Sequence, residues 1–137
     1  MEKTSELLIY LMACSLQGTK PEEALLANID MEALLRLAKA HSVSAMVCMA
    51  LEQTDAFQHT TETTRLKWLD SKNKAIRKNM LLDAERHQLE KEFAEHGIWY
   101  MPLKGSILKD WYPKFGMREM ADNDILFDAT RRYPANR

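Results

Sequence analysis

The sequence predicts an α+β fold, in which a helical N-terminal bundle is followed by a small β-α-β unit. Up to about Gly97, apolar side chains recur at helical spacing, and glycine and proline are scarce. After Gly97, β-branched and aromatic residues alternate with glycine and proline turns. We therefore expect a helical region over 1–96 and a separate C-terminal unit over 97–137.

Composition and charge limit the class of protein. The 137 residues are 46% hydrophobic with a formal net charge of -1, which supports a packed core and argues against intrinsic disorder. The near-neutral charge also argues against nucleic acid as a partner. Cys14 and Cys48 lie at neither metal-binding nor redox spacing, so we expect reduced core residues in a cytoplasmic protein.

The first apolar segment predicts a buried helix, not a membrane anchor. The run from Leu7 to Leu16 is about ten residues long, roughly half of what a bilayer crossing needs. The residues before Cys14 are similar to a lipoprotein signal, but Glu2 and Glu6 give that leader the wrong charge. We therefore expect no association with a membrane.

Capping residues and apolar periodicity predict the helices of the N-terminal region. Thr4 or Ser5 is expected to begin a helix that stops at Gly18. Asp30 is expected to cap a helix that runs through Ala40. A further helix is predicted by five apolar residues on one helical face, namely Val43, Met46, Val47, Ala50 and Leu51.

The longest predicted element is a helix over about 62–96, because that stretch lacks glycine and proline before Gly97. The residues predicted to form its first apolar face are Leu66, Leu69, Ile76 and Met80. Basic residues dominate the segment 65–78, which suits either nucleic-acid phosphates or a solvated helix face. The neutral overall charge favours the solvated face.

In the C-terminal unit, residues 98–101 predict a strand and residues 122–127 a second one. Asp122 and Asp124 would then point to the same side of the sheet, about 6 to 7 Å apart along the backbone. Two such carboxylates repel each other unless a cation lies between them, and Mg²⁺ prefers oxygen ligands. The alternative interpretation is a pair of turn or capping residues at the entry to the strand.

Lys104, Gly105 and Ser106 lie between the first strand and a short predicted helix, where they suit a phosphate-binding turn. Glycine lets the backbone approach a phosphate, and the helix start offers free N–H groups. Ser106 adds a hydroxyl and Lys104 a positive charge. The spacing and the order of the residues differ from those of a Walker A loop.

Together these segments resemble the nucleotidyltransferase superfamily of the DNA polymerase beta type. They are similar to its bacterial branch of uncharacterised nucleotidyltransferases, which has the signature LKG…YP…GxR…DxD. The residues that carry the resemblance are Leu103-Lys104-Gly105-Ser106, Tyr112-Pro113, Gly116, Arg118 and Asp122-Asn123-Asp124-Ile125-Leu126.

This resemblance implies a site and a reaction. Asp122 and Asp124 would be the catalytic residues that hold Mg²⁺, and Gly105 and Ser106 would contact the phosphates of a nucleoside triphosphate. The resemblance makes Lys104 and Arg118 further phosphate partners. The implied reaction is transfer of a nucleotidyl group to an unknown acceptor.

The chain departs from the family pattern in one respect, which concerns a third carboxylate. The superfamily takes this group from a later strand, whereas Arg137 follows soon after the second strand and residues 131–137 offer no such element. We expect a truncated product, a fragment or a domain completed by another chain, and a homo-oligomer would pair the open sheet edges. The alternative function is a catalytically inactive remnant that serves as a helical interaction or oligomerisation module.

The remaining histidine and tryptophan residues are assigned to packing or to the surface. The four histidines lie far apart in the chain, without metal-ligand spacing. Trp68, Trp99 and Trp111 are expected to pack against neighbours and not to stack on nucleic-acid bases.

Overall fold

The computed structural model describes residues 2–130, which fold into a bundle of helices followed by a small sheet. In chain order the elements are α1 (Glu2–Gln17), a 3-10 turn (Glu23–Leu26), α2 (Met31–Ala40), α3 (Ser44–Leu51), α4 (Asp55–Gln58), α5 (Glu62–Glu95), β1 (Tyr100–Pro102), α6 (Gly105–Leu108), a second 3-10 turn (Lys109–Trp111) and β2 (Ile125–Phe127). The predicted α+β class is confirmed.

Helix ends lie close to the capping residues seen in the sequence. The Asp30 carboxylate begins α2 by accepting hydrogen bonds from the backbone N–H groups of Glu32 and Ala33, at 3.1 and 3.0 Å. Gly18 ends α1 with a φ of 69°, a conformation that glycine adopts without steric cost. The short helix α4 was not predicted, and it buries Phe57 in the core.

The bundle is built around α3, whose residues are buried along its whole length. α1 and α5 pack against it on either side, and α2 closes the bundle. The largest side chains of this core that are fully buried are Leu11, Leu34, Val47, Leu51 and Trp68. Cys14 and Cys48 are free and buried, as predicted, and burial raises the pKa of the Cys48 thiol, which keeps it protonated.

The buried face of α5 differs from the predicted apolar face. Leu66 and Met80 are exposed by 56% and 59%, so their predicted burial is wrong. The residues that α5 buries are Thr64, Trp68, Ala75, Asn79 and Arg86. Three of these side chains are polar and have partners: Asn79 bonds to the Arg118 carbonyl oxygen, Arg86 pairs with Asp83 and Glu90 within α5, and Thr64 bonds to Glu32. Apolar periodicity does not register such contacts.

The two strands form an antiparallel sheet beside the C-terminal half of α5. Its register pairs Tyr100 with Phe127, Met101 with Leu126 and Pro102 with Ile125. Phe93 of α5 contacts the rings of Tyr100 and Phe127, with centroid distances of 5.7 and 5.4 Å. Both strands begin later than predicted, and Asp122 and Asp124 therefore precede β2 and are not part of it.

The C-terminal unit also contacts the bundle directly. Met117 is 2% exposed and packs with Met46 and Met49 of α3. The division of the chain at residues 96 and 97 stays a prediction. Packing is confirmed for Trp68, which is fully buried, and is wrong for Trp99 and Trp111, which are 57% and 77% exposed.

The basic segment of α5 forms a solvated face that is partly neutralised by acids. Its ion pairs join Lys67 to Glu32, Lys72 to Glu52 and Lys74 to Asp70. The hydrogen bond from Lys67 lowers the pKa of Glu32. Within residues 2–130, no helix is both long enough and apolar enough to cross a membrane.

Candidate functional site

A cavity of about 200 Å³ lies between the turn after β1 and the segment that leads into β2. Its lining consists of Lys104, Gly105, Ser106, Arg118, Glu119, Met120, Ala121, Asp122 and Asp124. Every residue that the sequence predicted for the site therefore lies on this one surface. Glu119, Met120 and Ala121 were not predicted for the site, because they belong to no recognisable sequence motif.

Lys104 begins the turn in an unusual backbone conformation, with φ 42° and ψ -111°. Its carbonyl oxygen accepts hydrogen bonds from the N–H groups of Ile107 and Leu108, at 3.0 and 2.8 Å, which starts α6. That helix spans only four residues, so its dipole is small. The positive charge of the cavity comes mainly from the side chains of Lys104 and Arg118.

Gly105 is closely packed inside the site. A Cβ atom at this position would lie 2.9 Å from Met120 Cε and 3.1 Å from Met120 Sδ, so the end of the Met120 side chain would have to move. The same atom would lie 3.4 Å from Arg118 Nε, which is ordinary contact. Glycine at position 105 thus lets the segment 118–124 pack against the turn. The phosphate-binding interpretation did not include this explanation for the glycine.

Asn123 fixes the two aspartates from behind. Its Nδ2 donates to the carbonyl oxygen of Leu82 on α5 at 2.8 Å, while Asp122 and Asp124 line the cavity. The Leu103 N–H donates to the Asp124 carbonyl oxygen at 2.8 Å and continues the pairing of the strands. The alternation of side chains predicted for a strand therefore holds in this irregular segment, with both carboxylates on one side.

Ser106 and Arg118 differ in how the fold uses their polar atoms. The Ser106 hydroxyl donates to Asn123 Oδ1 at 3.4 Å, and its side chain is 4% exposed. The Arg118 Nε is buried and has no hydrogen-bond acceptor within residues 2–130. An unpaired buried donor is costly, and a phosphate oxygen in the cavity would supply the missing acceptor.

Asp122 and Asp124 are the residues of the cavity that would hold a Mg²⁺ ion. Across residues 2–130, no group of three or more His, Cys, Asp or Glu side chains is placed to hold a metal. Glu119 lines the cavity, but its Oε1 accepts hydrogen bonds from the Ser44 hydroxyl and the Ala45 N–H, at 2.9 and 3.3 Å. Mg²⁺ commonly uses one or two protein carboxylates together with water and substrate phosphates, and the Asp122 and Asp124 pair agrees with that number. The segment 131–137, discussed for a third carboxylate, lies outside the described residues.

A buried ion-pair network holds the segment after α6 against α5. The Lys109 side chain is 5% exposed, and its Nζ lies 3.0 Å from Asp83 and 2.9 Å from Asp110. Asp83 also pairs with Arg86 at 3.0 Å. Burial acts to lower the pKa of Lys109, but the bonds to the two carboxylates outweigh it and raise that pKa overall. The hydrogen bond from Lys109 lowers the pKa of Asp110.

We expect Lys109→Met to lower the free energy of unfolding at pH 7 by about 1–3 kcal/mol, since it removes the buried cation between Asp83 and Asp110 and leaves Asp83 with Arg86 alone. Urea denaturation measures the loss, and Lys114→Met, which changes an exposed lysine of the same segment, is the matched control. The lowered pKa of Asp110 stabilises the fold above its ordinary value of 3.8, and this contribution is lost as the pH falls through the folded-state pKa. The difference between wild type and variant should therefore shrink below about pH 4. An undiminished difference at pH 3 would contradict this account.

Comparison with known proteins gives one match. The model of a protein family described as uncharacterised nucleotidyltransferase matches residues 27–137. Comparisons with curated proteins and with solved structures gave no match. The matched stretch includes α2 to α6 and all residues that line the cavity.

Proposed function

The chain belongs to the family of uncharacterised nucleotidyltransferases, and from this premise we propose that its cavity binds a nucleoside triphosphate with Mg²⁺ and transfers a nucleotidyl group to an acceptor. The observation that supports the proposal is the convergence of two cationic and two anionic side chains on one cavity. These side chains belong to Lys104, Arg118, Asp122 and Asp124.

Lys104 and Arg118 would bind the phosphates of the nucleotide. The unpaired Arg118 Nε would give a phosphate oxygen a charge-assisted hydrogen bond, and Lys104 of the same cavity would add positive charge. Gly105 and Ser106 would contact the same phosphates along the turn. Both cations then stabilise the negative charge that develops on the leaving pyrophosphate.

Asp122 and Asp124 would hold the metal ion, and Asn123 keeps their backbone in position. Bound Mg²⁺ supplies Lewis-acid stabilisation of phosphate charge. In the transfer, an acceptor oxygen bonds to the α-phosphorus, and the bond from that phosphorus to the oxygen bridging to the β-phosphate breaks. Pyrophosphate leaves and the acceptor proton passes to water.

Two finer parts of this proposal rest on separate observations, the sequence pattern and the cysteines. The LKG…YP…GxR…DxD pattern supports our inference that the chain is one of the bacterial branch of the family. The free, buried cysteines agree with a cytoplasmic location, where thiols stay reduced.

A second candidate function is an oligomerisation module without activity. It is favoured by large apolar side chains that are exposed on the C-terminal unit, namely Trp99, Met101, Trp111, Leu126 and Phe127. A second copy of the chain could cover this surface and pair the sheet edge. Failure to bind any nucleotide in the following experiment would favour this function over the first.

We expect Mg²⁺ together with ATP, GTP, CTP or UTP to raise the Tm of the wild type, and the Asp122→Asn/Asp124→Asn variant to lose that rise. Binding to the native state stabilises it by about 2.7 kcal/mol when the ligand stands at 100 times its Kd, which a thermal-shift titration resolves. The charge-matched control is Glu62→Gln/Glu95→Gln, which changes two exposed acids at the ends of α5. An equal nucleotide-dependent rise in wild type and aspartate variant would overturn the assignment of the metal ligands.

A further inference from the structure

We propose that a second cavity, next to the first, binds the acceptor substrate through a phosphate group. The inference rests on the proposed function and names the chemistry of the second substrate. The cavity has a volume of about 280 Å³ and lies between α2, α5 and the segment before β2. This volume is close to the lower end of small-molecule sites, about 300–1,000 Å³.

The two cavities adjoin each other. Glu119 and Met120 line both of them, so a ligand in the second cavity lies beside a nucleotide in the first. Nucleotidyl transfer needs such a neighbour, because an acceptor oxygen must reach the α-phosphorus while the nucleotide is bound. The nucleotide phosphates already have Lys104 and Arg118 in the first cavity.

The second cavity carries a surplus of positive charge. Lys39, Lys74 and Lys78 line it, and Lys74 is paired with Asp70 at 3.5 Å. Lys39 and Lys78 have no acidic partner in the part of the chain that the structure describes. Two unpaired cations at the wall of one cavity attract an anion, and a phosphate group accepts hydrogen bonds from both.

The carboxylate on the shared wall is held by hydrogen bonds from the start of α3. Ser44 is 3% exposed and donates its only hydroxyl hydrogen to Glu119 Oε1 at 2.9 Å. Ser71, 2.5 Å from the Ser44 oxygen, must then be the donor in that second hydrogen bond. Together with the Ala45 N–H, this chain holds the charge of Glu119 toward the start of α3.

The test uses inorganic phosphate as the probe, with NMR of the backbone amides to locate it. We expect phosphate to shift the resonances of residues 39, 44 and 70–78, both alone and with Mg²⁺ and nucleotide bound. We expect Lys39→Gln/Lys78→Gln to weaken phosphate binding at least fivefold and to leave the nucleotide-dependent thermal shift unchanged. The control Lys20→Gln/Lys91→Gln, two exposed lysines outside both cavities, should bind phosphate as the wild type does.

Two results would overturn the proposal. One is that the Lys39→Gln/Lys78→Gln variant binds phosphate as tightly as the wild type, or that phosphate shifts no resonance of residues 39, 44 and 70–78. The other is loss of the phosphate-dependent shifts at residues 39, 44 and 70–78 when nucleotide is bound, which would assign the lysines to the nucleotide's own phosphates. The Asp122→Asn/Asp124→Asn variant separates this failure from failure of the proposed function, since it should lose nucleotide binding and still bind phosphate.

Discussion

Replacement of Trp68 by alanine is expected to lower the free energy of unfolding by about 3–5 kcal/mol, the usual cost of removing a large aromatic side chain from a core. Trp68 is fully buried at the contact between α5 and the bundle. Its indole Nε1 also donates to the Met31 carbonyl oxygen at 3.2 Å, so the variant leaves a void and also removes this hydrogen bond. Urea denaturation followed by circular dichroism measures the effect.

Trp99→Ala is the matched control, because it removes the same side chain from a position that is 57% exposed. We expect it to cost less than about 1 kcal/mol, as most surface substitutions do. The loss in free energy of unfolding for Trp68→Phe should fall between those of the two alanine variants, since phenylalanine keeps most of the apolar volume but lacks the donor to Met31. Equal losses for the two alanine variants would show that Trp68 does not hold α5 to the bundle.

Gly116→Ala is expected to cost about 2–4 kcal/mol, from steric overlap and from backbone strain combined. The added Cβ would lie 2.6 Å from Ile76 Cγ1 and 3.5 Å from the Ile76 Cα atom. Gly116 also has a φ of 90°, which residues with a side chain rarely adopt. Both effects act on the segment that delivers Met117 to α3 and Arg118 to the cavity.

Two further variants separate the causes. Gly18→Ala has a comparable positive φ of 69° but open space around the new Cβ, so it should cost only about 1 kcal/mol of backbone strain. In an Ile76→Ala background the overlap is absent, and the added cost of Gly116→Ala should fall toward the Gly18→Ala value. An unchanged cost in that background would show that Ile76 is not the obstacle. The same urea denaturation serves for all of these variants.

Helix boundaries were largely predictable from sequence because their signals are local. Asp30 caps α2 with its own carboxylate, and Gly18 and Gly97 stand where α1 and α5 end. The buried face of α5 was not predictable in this way. Asn79 is 1% exposed because its Nδ2 donates to the Arg118 carbonyl oxygen at 2.9 Å, a contact between residues far apart in the chain.

In the candidate site too, the features with local sequence signals were predictable, and those that depend on distant residues were not. The spacing of Asp122 and Asp124 predicted that they share one side, and the family resemblance predicted that Gly105 lies with them. Glu119 lines the cavity, and its carboxylate accepts hydrogen bonds from Ser44 and Ala45 of α3. These residues lie far from Glu119 in the chain, so no local sequence pattern predicts the contact. The exposed tryptophans have a related cause, since a two-stranded sheet offers too few neighbours to bury every aromatic residue beside it.

The long helix α5 gives two parts of the molecule a common helical phase. Trp68 fits the bundle on one stretch of this helix, while the carbonyl oxygen of Leu82 receives Asn123 on another. Each added or deleted residue between these points would rotate one part against the other by about 100° and shift it by about 1.5 Å. Many side chains in the middle of α5 are exposed, yet the number of residues there is constrained, because it sets this rotation and this shift.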